Sequence, residues 1–561
     1  MSAADPTTGV PAAPGSAGTA PVHSTASGTA PGVGTAGVST AGVGAAGDSA
    51  ARDDAARDSA AGGVRGFRVA VAAPHPAAID AARAVVAAGG NAFDAALAAA
   101  AALTVAYPHQ CSVGGDLVAV VRPAGGEAQA VLSIGAAAAE VDVDALRAGG
   151  ERMPFGGPQT VTVPGVVAGW ASVAALGASL PLSTLLDPAI GLADGGVPVS
   201  PGLHRATLGR RDGVTADPGL SALLLDPETG EPVRTLVQPA LAETLRQIGA
   251  NWRSFYRGHL AHRLADGLAA LGSPLTAGDL AAHRAEVTAP LTTTVGDVTW
   301  SAAPPPVQGA TFLAIAGSAT DAGTLLTDAR RAQLARDALL GDPRTGPVDL
   351  DGLLLRTAES FAGADGGPKP AGDTVAVTAV DADGNAVTLI QSVFQSFGSG
   401  LLESGTGLVL HNRGSSFSLD PAHPARIAPG VRPPHTLCPA LATTPAGDVT
   451  ALGCQGGRAQ PWILAQVAPA VLDSTDLDGL LARPRWVIGA REIGRDVPTL
   501  LLEPDTPEVD ALTRTAGGLG LVVDTTAGPH DDAGHVQVAR LTGGALAAAS
   551  DPRADGLAAV L

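Results

Sequence analysis

At 561 residues the chain has room for several domains or one large one, and with 46% hydrophobic but only 3% aromatic residues its core has to be packed from Ala, Val and Leu. A formal net charge of −19 excludes electrostatic capture of nucleic acid or of an anionic membrane surface. Of 34 Lys and Arg residues one is lysine, Lys369, and Pro370 follows it, which rules out a Walker A loop and a sheltered Schiff-base lysine.

Residues 1–65 are mostly Gly, Ala, Thr, Ser, Pro and Val, in loose repeats. Such a composition does not bury enough surface to offset ordering entropy, so this part is expected to be a disordered tail. No basic start or apolar h-region marks an export signal, and no run of 18 apolar residues could span a bilayer; a cytoplasmic protein is expected. Folding should begin near Phe67, with a strand over 69–72 and a helix over 76–88 that Gly89-Gly90 ends. Asn91 should cap the next helix, to about residue 105. Strands are expected over 117–122 and 128–134, and Thr160 to Trp170 reads as strand, turn and helix start. His109 reads as a loop histidine that holds backbone rather than as a catalytic base. Cys111, Cys438 and Cys454 have no short spacing, so neither a disulfide framework nor a zinc site is expected, and no metal or cofactor.

A flexible run rich in Gly and Pro, residues 363–371, leads into Gly372-Asp373-Thr374-Val375-Ala376-Val377-Thr378-Ala379-Val380. Val375, Val377 and Ala379 share one face, and Thr374, Ala376, Thr378 and Val380 the other, which is the period of a strand. Asp381-Ala382-Asp383-Gly384-Asn385 is turn chemistry, and residues 386–392 form the second strand of a hairpin. Thr374 thus sits where a loop becomes a strand. Read alone, it is an ordinary strand residue. If the bond between Asp373 and Thr374 is broken, Thr374 instead carries a hydroxyl nucleophile and a free α-amine, which titrates near pH 8, roughly, and so supplies a base. Further on, a strand over 449–452 runs into Gly453-Cys454-Gln455-Gly456-Gly457-Arg458 and a helix beginning near Gln460. This is either a plain strand–helix turn or, beside a threonine nucleophile, an oxyanion hole made of the Gly456 and Gly457 amides. The rest, to Leu561, is expected to alternate short strands and turns. No Gly-x-Ser-x-Gly elbow occurs, which disfavours a Ser-His-Asp hydrolase.

The stretch from Gly372-Asp373-Thr374 to Asp383-Gly384-Asn385, with Phe397-Gly398-Ser399-Gly400, Gly405-Thr406-Gly407, Asn412 and Phe417-Ser418, resembles the γ-glutamyltranspeptidase family of N-terminal nucleophile hydrolases. So does the run Gly89-Gly90-Asn91-Ala92-Phe93-Asp94 with Pro108-His109 and Gly114-Gly115. The likeness spans about residues 66 to 500. It implies an α+β, four-layer αββα sandwich. It also implies self-cleavage before Thr374 into a large part (66–373 plus the tail) and a small part (374–561) that stay together as partners. The expected activity is that of an N-terminal threonine hydrolase of the γ-glutamyltransferase and glutathione hydrolase kind, acting on a small-molecule amide and resolving an acyl-enzyme with water or an amine.

The resemblance places Ser392 where the family has a second threonine bonded to the nucleophile. Substrate positions fit less well. A family asparagine corresponds to Phe394, an amide and an aspartate to Arg413 and Ser416, and a serine pair to His435 and Thr436. The arginine that glutathione-cleaving relatives carry after the second strand is absent from Ile134-Gly135-Ala136. Arg413, a carboxylate-binding group, has appeared where an ammonium would be read. These departures, with Gln391-Ser392 and Asn412-Arg413-Gly414, resemble a divergent, acylase-like branch. Three readings follow: a γ-glutamyl amidase or transferase, an acylase for dicarboxylic acyl groups such as glutaryl (as in cephalosporin acylases), and an uncut, non-catalytic scaffold.

Overall fold

The computed structural model describes residues 69–317, 321–361 and 373–561; the expected tail and the run 363–371 lie outside the described residues. Two antiparallel sheets carry the fold. The first has seven strands in the order Leu557–Val560, Val69–Ala73, Asp373–Asp381, Ala386–Phe394, Asp116–Arg122, Gln129–Ser133 and Glu286–Thr288. The second has six, in the order Ala545–Ser550, Val536–Thr542, Val449–Cys454, Ala440–Thr443, Val298–Ala302 and Leu291–Val295. Both sheets take strands from before and from after residue 373, so the two parts share one core.

Side-chain alternation assigns each face. Ala376, Val380, Ile390, Val118 and Val120 of the first sheet meet Leu441, Ala451 and Ala539 of the second. The opposite face of the first sheet, with Val375, Val377, Ala379 and Leu389, packs on helices Pro76–Ala87 and Ala92–Ala106. Trp300, Leu452 and Val538 on the far face of the second pack on helices Gly309–Ile315, Ala322–Leu339 and Gln460–Val471. The order of layers is therefore helix, sheet, sheet, helix. Small residues let the sheets come together: a Cβ added to Gly453 would lie 3.2 Å from the Ala376 Cβ and 3.0 Å from Thr388 Cγ2. Among the described residues no helix is long and apolar enough to cross a membrane.

Every residue of helix Ala92–Ala106 is buried, as a helix apolar on all sides requires. Asn91 starts it with a capping box: its side chain accepts from the amides of Phe93 and Asp94, and the Asp94 carboxylate accepts from the Asn91 amide. The hairpin turn is tied to the same place, because Asp381 accepts from the Ala92 amide and from Asn385. Asn91 also donates from Nδ2 to the Gly177 carbonyl at 2.7 Å and to Ser179 Oγ at 3.0 Å. Asn91→Ala is therefore expected to cost about 2 kcal/mol and to lower the melting temperature in a thermal scan, and Asn91→Asp, which keeps the cap but sets an oxygen against that carbonyl, should not restore it.

Most expected elements are found within a residue or two. Two expectations need correction. Residues 161–163 are extended but join no sheet: Val163 donates to Ala136 and Gly165 to Gly115, single bonds across strand ends rather than a ladder. The chain after residue 472 also holds helices Leu477–Ala482 and Val509–Gly518 and a separate sheet of Trp486–Gly489, Thr499–Leu502 and Val522–Thr525, besides the three strands that complete the main sheets. Short apolar repeats there read as strands, but these helices use the same residues to cover the second sheet's outer core.

Candidate active site

Thr374 is the second residue of the strand Asp373–Asp381 and 1% exposed. Its parity with Ala376 and Val380 turns its side chain into the space between the sheets. There its hydroxyl donates to Ser392 Oγ at 3.1 Å, and Ser392 Oγ accepts from the Phe394 amide at 2.8 Å. The ladder slips between Gln391 and Phe394, and Asp373 pairs with Phe394. Ser392 in turn pairs with Asp116 of the next strand. Thr374, Ser392 and Asp116 thus form one row across three strands.

Phe394 has φ +79°, in the left-handed region that a bulky side chain costs about 1–3 kcal/mol to occupy. That conformation lays its ring under the Arg413 guanidinium, whose Cζ is 3.7 Å from the ring centroid. Arg413 is 1% exposed, donates from Nη1 to Thr436 Oγ1 at 3.2 Å, and has no partner for Nη2 among the described residues. Burial draws its pKa down to about 9, while Asp116 acts to raise it. Ser416 keeps the Arg413 loop in place, its hydroxyl lying 2.7 Å from the Arg413 carbonyl and 3.0 Å from that of Pro434. His435 is fully buried and faces Asp116, with Nε2 3.3 Å from Oδ2. A cleft of about 320 Å³ opens beside Ser416 and Pro434, and Arg336, Arg458 and Asp337 line it; both arginines pair with Asp337.

Gly456 and Gly457 follow the strand Val449–Cys454 and have φ +146° and +52°. Gly453 in that strand lies against Ala376, two residues beyond Thr374, so the loop leaves its sheet beside the nucleophile row. Neither glycine amide donates a hydrogen bond among the described residues, while Gln308 holds the Gly457 carbonyl at 2.9 Å. Two amides without a partner among the described residues, one on half-buried Gly456 and one on buried Gly457, stand just before helix Gln460–Val471 and suit an oxyanion.

Direct contacts join three of the segments that the sequence singles out, 374, 392–394 and 413–436, and Gln308, which donates to the carbonyls of both Thr436 and Gly457, ties the fourth, 456–457, to the third. Sequence reasoning missed Asp116 and His411. His411 Nδ1 lies 3.5 Å from Asp116 Oδ2, and both are buried. Asp116 carried one available signal: an acid at the inward-facing start of a central strand is out of place unless partnered. His411 carried none. At Gly135, where the arginine is absent, an added Cβ would lie 1.6 Å from the Val163 carbonyl oxygen, so no side chain fits. His109 is 2% exposed, burial pushes its pKa down to about 3, and its carbonyl accepts from Phe397. Cys111, Cys438 and Cys454 are unpaired and buried, with thiol pKa values pushed up by burial.

An αββα sandwich with a threonine hydroxyl at the head of a central strand defines the N-terminal nucleophile hydrolases. Within that class the chain belongs to the gamma-glutamyltranspeptidase family, whose model matches residues 78–561. It is 40% identical to the oxamate amidohydrolase proenzyme of Klebsiella pneumoniae subsp. pneumoniae, over 87% of this chain and 97% of that protein. It is 33% identical to the glutathione hydrolase-like YwrD proenzyme of Bacillus subtilis, over 88% and 99%. Among solved structures, cephalosporin acylase from Bacillus halodurans superposes with a TM-score of 0.78 at 29% identity, over 88% of this chain and 96% of that one.

Proposed function

We propose that the protein is an amidohydrolase that breaks its own bond between Asp373 and Thr374 and then cleaves small amides whose acyl part ends in a carboxylate. In maturation the Thr374 hydroxyl attacks the Asp373 carbonyl, the chain shifts from amide to ester, and water hydrolyses the ester. This frees the Asp373 carboxylate and the Thr374 α-amine. In turnover Thr374 Oγ attacks the substrate carbonyl and its proton passes to the α-amine, directly or through water. Ser392 orients the hydroxyl, and the Gly456 and Gly457 amides hold the oxyanion. The leaving amine takes the proton, an acyl ester remains on Thr374, and water releases the acid by the same steps. An amine in place of water would give transfer. The proenzyme names of the relatives support the maturation step.

Arg413 carries the specificity reading. A guanidinium this buried, stacked on Phe394 and with one nitrogen unpartnered, suits a carboxylate better than any neutral or cationic group. The position resembling the family's ammonium-binding acid is Ser416, whose hydroxyl lies against two backbone carbonyls. The enclosed row favours a short acyl group, and the Klebsiella relative is named for oxamate, a two-carbon one. The likeness to a cephalosporin acylase supports a second reading, a longer carboxylate-ended acyl group such as glutaryl, which the same cation would hold. The deciding experiment compares oxamate, a glutaryl amide, the uncharged amide pyruvamide and glutathione. The carboxylate-ended amides should exceed pyruvamide in kcat/KM by about 100-fold. Saturable glutathione cleavage at micromolar substrate would overturn the reading, since a buried ammonium without an anion is disfavoured by several kcal/mol, roughly two decades or more in affinity.

A further inference from the structure

The hydrogen bonds around Asp116 do not close unless an extra proton is present. His411 Nε2 lies 2.8 Å from the Thr162 carbonyl oxygen, which only accepts, so Nε2 carries hydrogen. In the neutral ring Nδ1 is then a lone pair, and it lies 3.5 Å from Asp116 Oδ2. Nδ1 has no hydrogen-bond partner among the described residues. On the other side His435 Nδ1 accepts from the Leu437 amide at 3.4 Å, so Nε2 carries hydrogen and donates to the same Oδ2 at 3.3 Å. Asp116 Oδ1 accepts from the Gly135 amide at 3.0 Å. A lone pair facing a carboxylate oxygen in a dry interior is repulsive, and one proton between them removes the conflict.

We propose that Asp116 and His411 share one proton, and that this proton keeps the anion site at Arg413 open. With the proton present, the pair is neutral and Arg413 offers its full charge to a substrate carboxylate. When the proton leaves, the Asp116 carboxylate becomes an internal counter-ion that competes with the substrate. The proposal rests on the carboxylate reading of Arg413. Burial pushes Asp116 up to about 7 and His411 down to about 4, which puts the proton on Asp116 and its loss near neutral pH. Asp116 is faced by His411, His435 and the amides of Gly135 and Gly165; Arg413 makes no direct ion pair with it among the described residues and acts on its charge at longer range, with Tyr256 and His283 beyond. Tyr256 gives its proton to the Pro164 carbonyl, and His283 sits against Ser133, its pKa drawn down to about 3 by burial. Arg336 and Arg458 stand on the cleft side of Arg413. Of these groups only Arg413, drawn down to about 9, approaches the range, so the fall assigned to Asp116 is the part that is complete below pH 8, where Arg413 is still charged. The α-amine of a matured Thr374 does titrate there, but it acts on all substrates alike.

The readout is therefore a ratio: kcat/KM for oxamate over kcat/KM for pyruvamide, measured from pH 5.5 to 8.5, in which the amine's titration cancels. In the wild type the ratio should fall about tenfold as pH rises through neutrality. Asp116→Asn cannot ionise, and its ratio should be flat with pH. An infrared band of a protonated carboxyl should persist in the wild type at pH 6 and fade by pH 8.5, a measurement that stands even where Asp116→Asn does not fold. A large ratio that does not change with pH in the wild type overturns the shared proton and leaves the carboxylate reading intact. A ratio near one at every pH removes both.

Discussion

Thr374→Ala should give a single polypeptide on a denaturing gel, where the wild type gives two, and its amidase activity should fall by about 10⁴-fold or more. Both effects have the same origin, because the group removed is at once the nucleophile of maturation and of turnover. The substitution itself is mild for the fold. Thr374 is buried, the lost atoms are one hydroxyl and one methyl, and Ser392 keeps its bond from the Phe394 amide. An unchanged circular dichroism spectrum would locate the loss in chemistry rather than folding. Thr374→Ser keeps the hydroxyl but not the methyl that restricts its rotamer, so it should be cut and turn over more slowly. Cleavage of Thr374→Ala at the same bond would exclude Thr374 as the maturation nucleophile. A wild-type chain that stays whole would favour the non-catalytic scaffold instead.

The hairpin around Thr374 was legible because its signals are local. Alternation from Val375 to Val380, turn residues at Asp381 to Asn385, and a flexible approach fix strand, turn and start without tertiary information. The Asn91 cap and the Gly456-Gly457 turn were legible for the same reason. What the sequence withheld were contacts made across sheets. Asp116 and His435 are 319 positions apart, and they meet only because the strand with Asp116 pairs beside Ser392 while the segment with His435 runs into the second sheet. No periodicity encodes that pairing. The same limit applies to Phe394: a positive φ on an aromatic residue is a cost set by its surroundings, not by its neighbours in sequence. The helices after residue 472 were missed for a different reason, since six- and ten-residue helices show too few turns for a 3.6-residue period to stand out from short strands.

Arg413→Met should remove the preference for carboxylate-ended acyl groups, lowering kcat/KM for oxamate or a glutaryl amide by about 10²–10³-fold while pyruvamide loses no more than about tenfold. Methionine is the informative replacement because Arg413 does two things. Its charge faces the acyl end of the site, and its plane covers the Phe394 ring. Alanine would empty the space over that ring and release Phe394 from its left-handed conformation. The amide that holds Ser392 would loosen with it, so activity on every substrate would fall together. Methionine fills most of the volume and removes the charge alone. Lysine should not rescue: its ammonium neither stacks flat on Phe394 nor offers two parallel donors to a carboxylate. The charge left behind by Arg413→Met is Asp116, and without the guanidinium its carboxyl has less reason to ionise, so the buried row stays neutral and the protein stays folded. The oxamate-to-pyruvamide ratio of this variant should therefore lie near one and show no dependence on pH. A ratio still near the wild-type value would place the carboxylate on another cation, with Arg336 and Arg458 at the cleft the next to test.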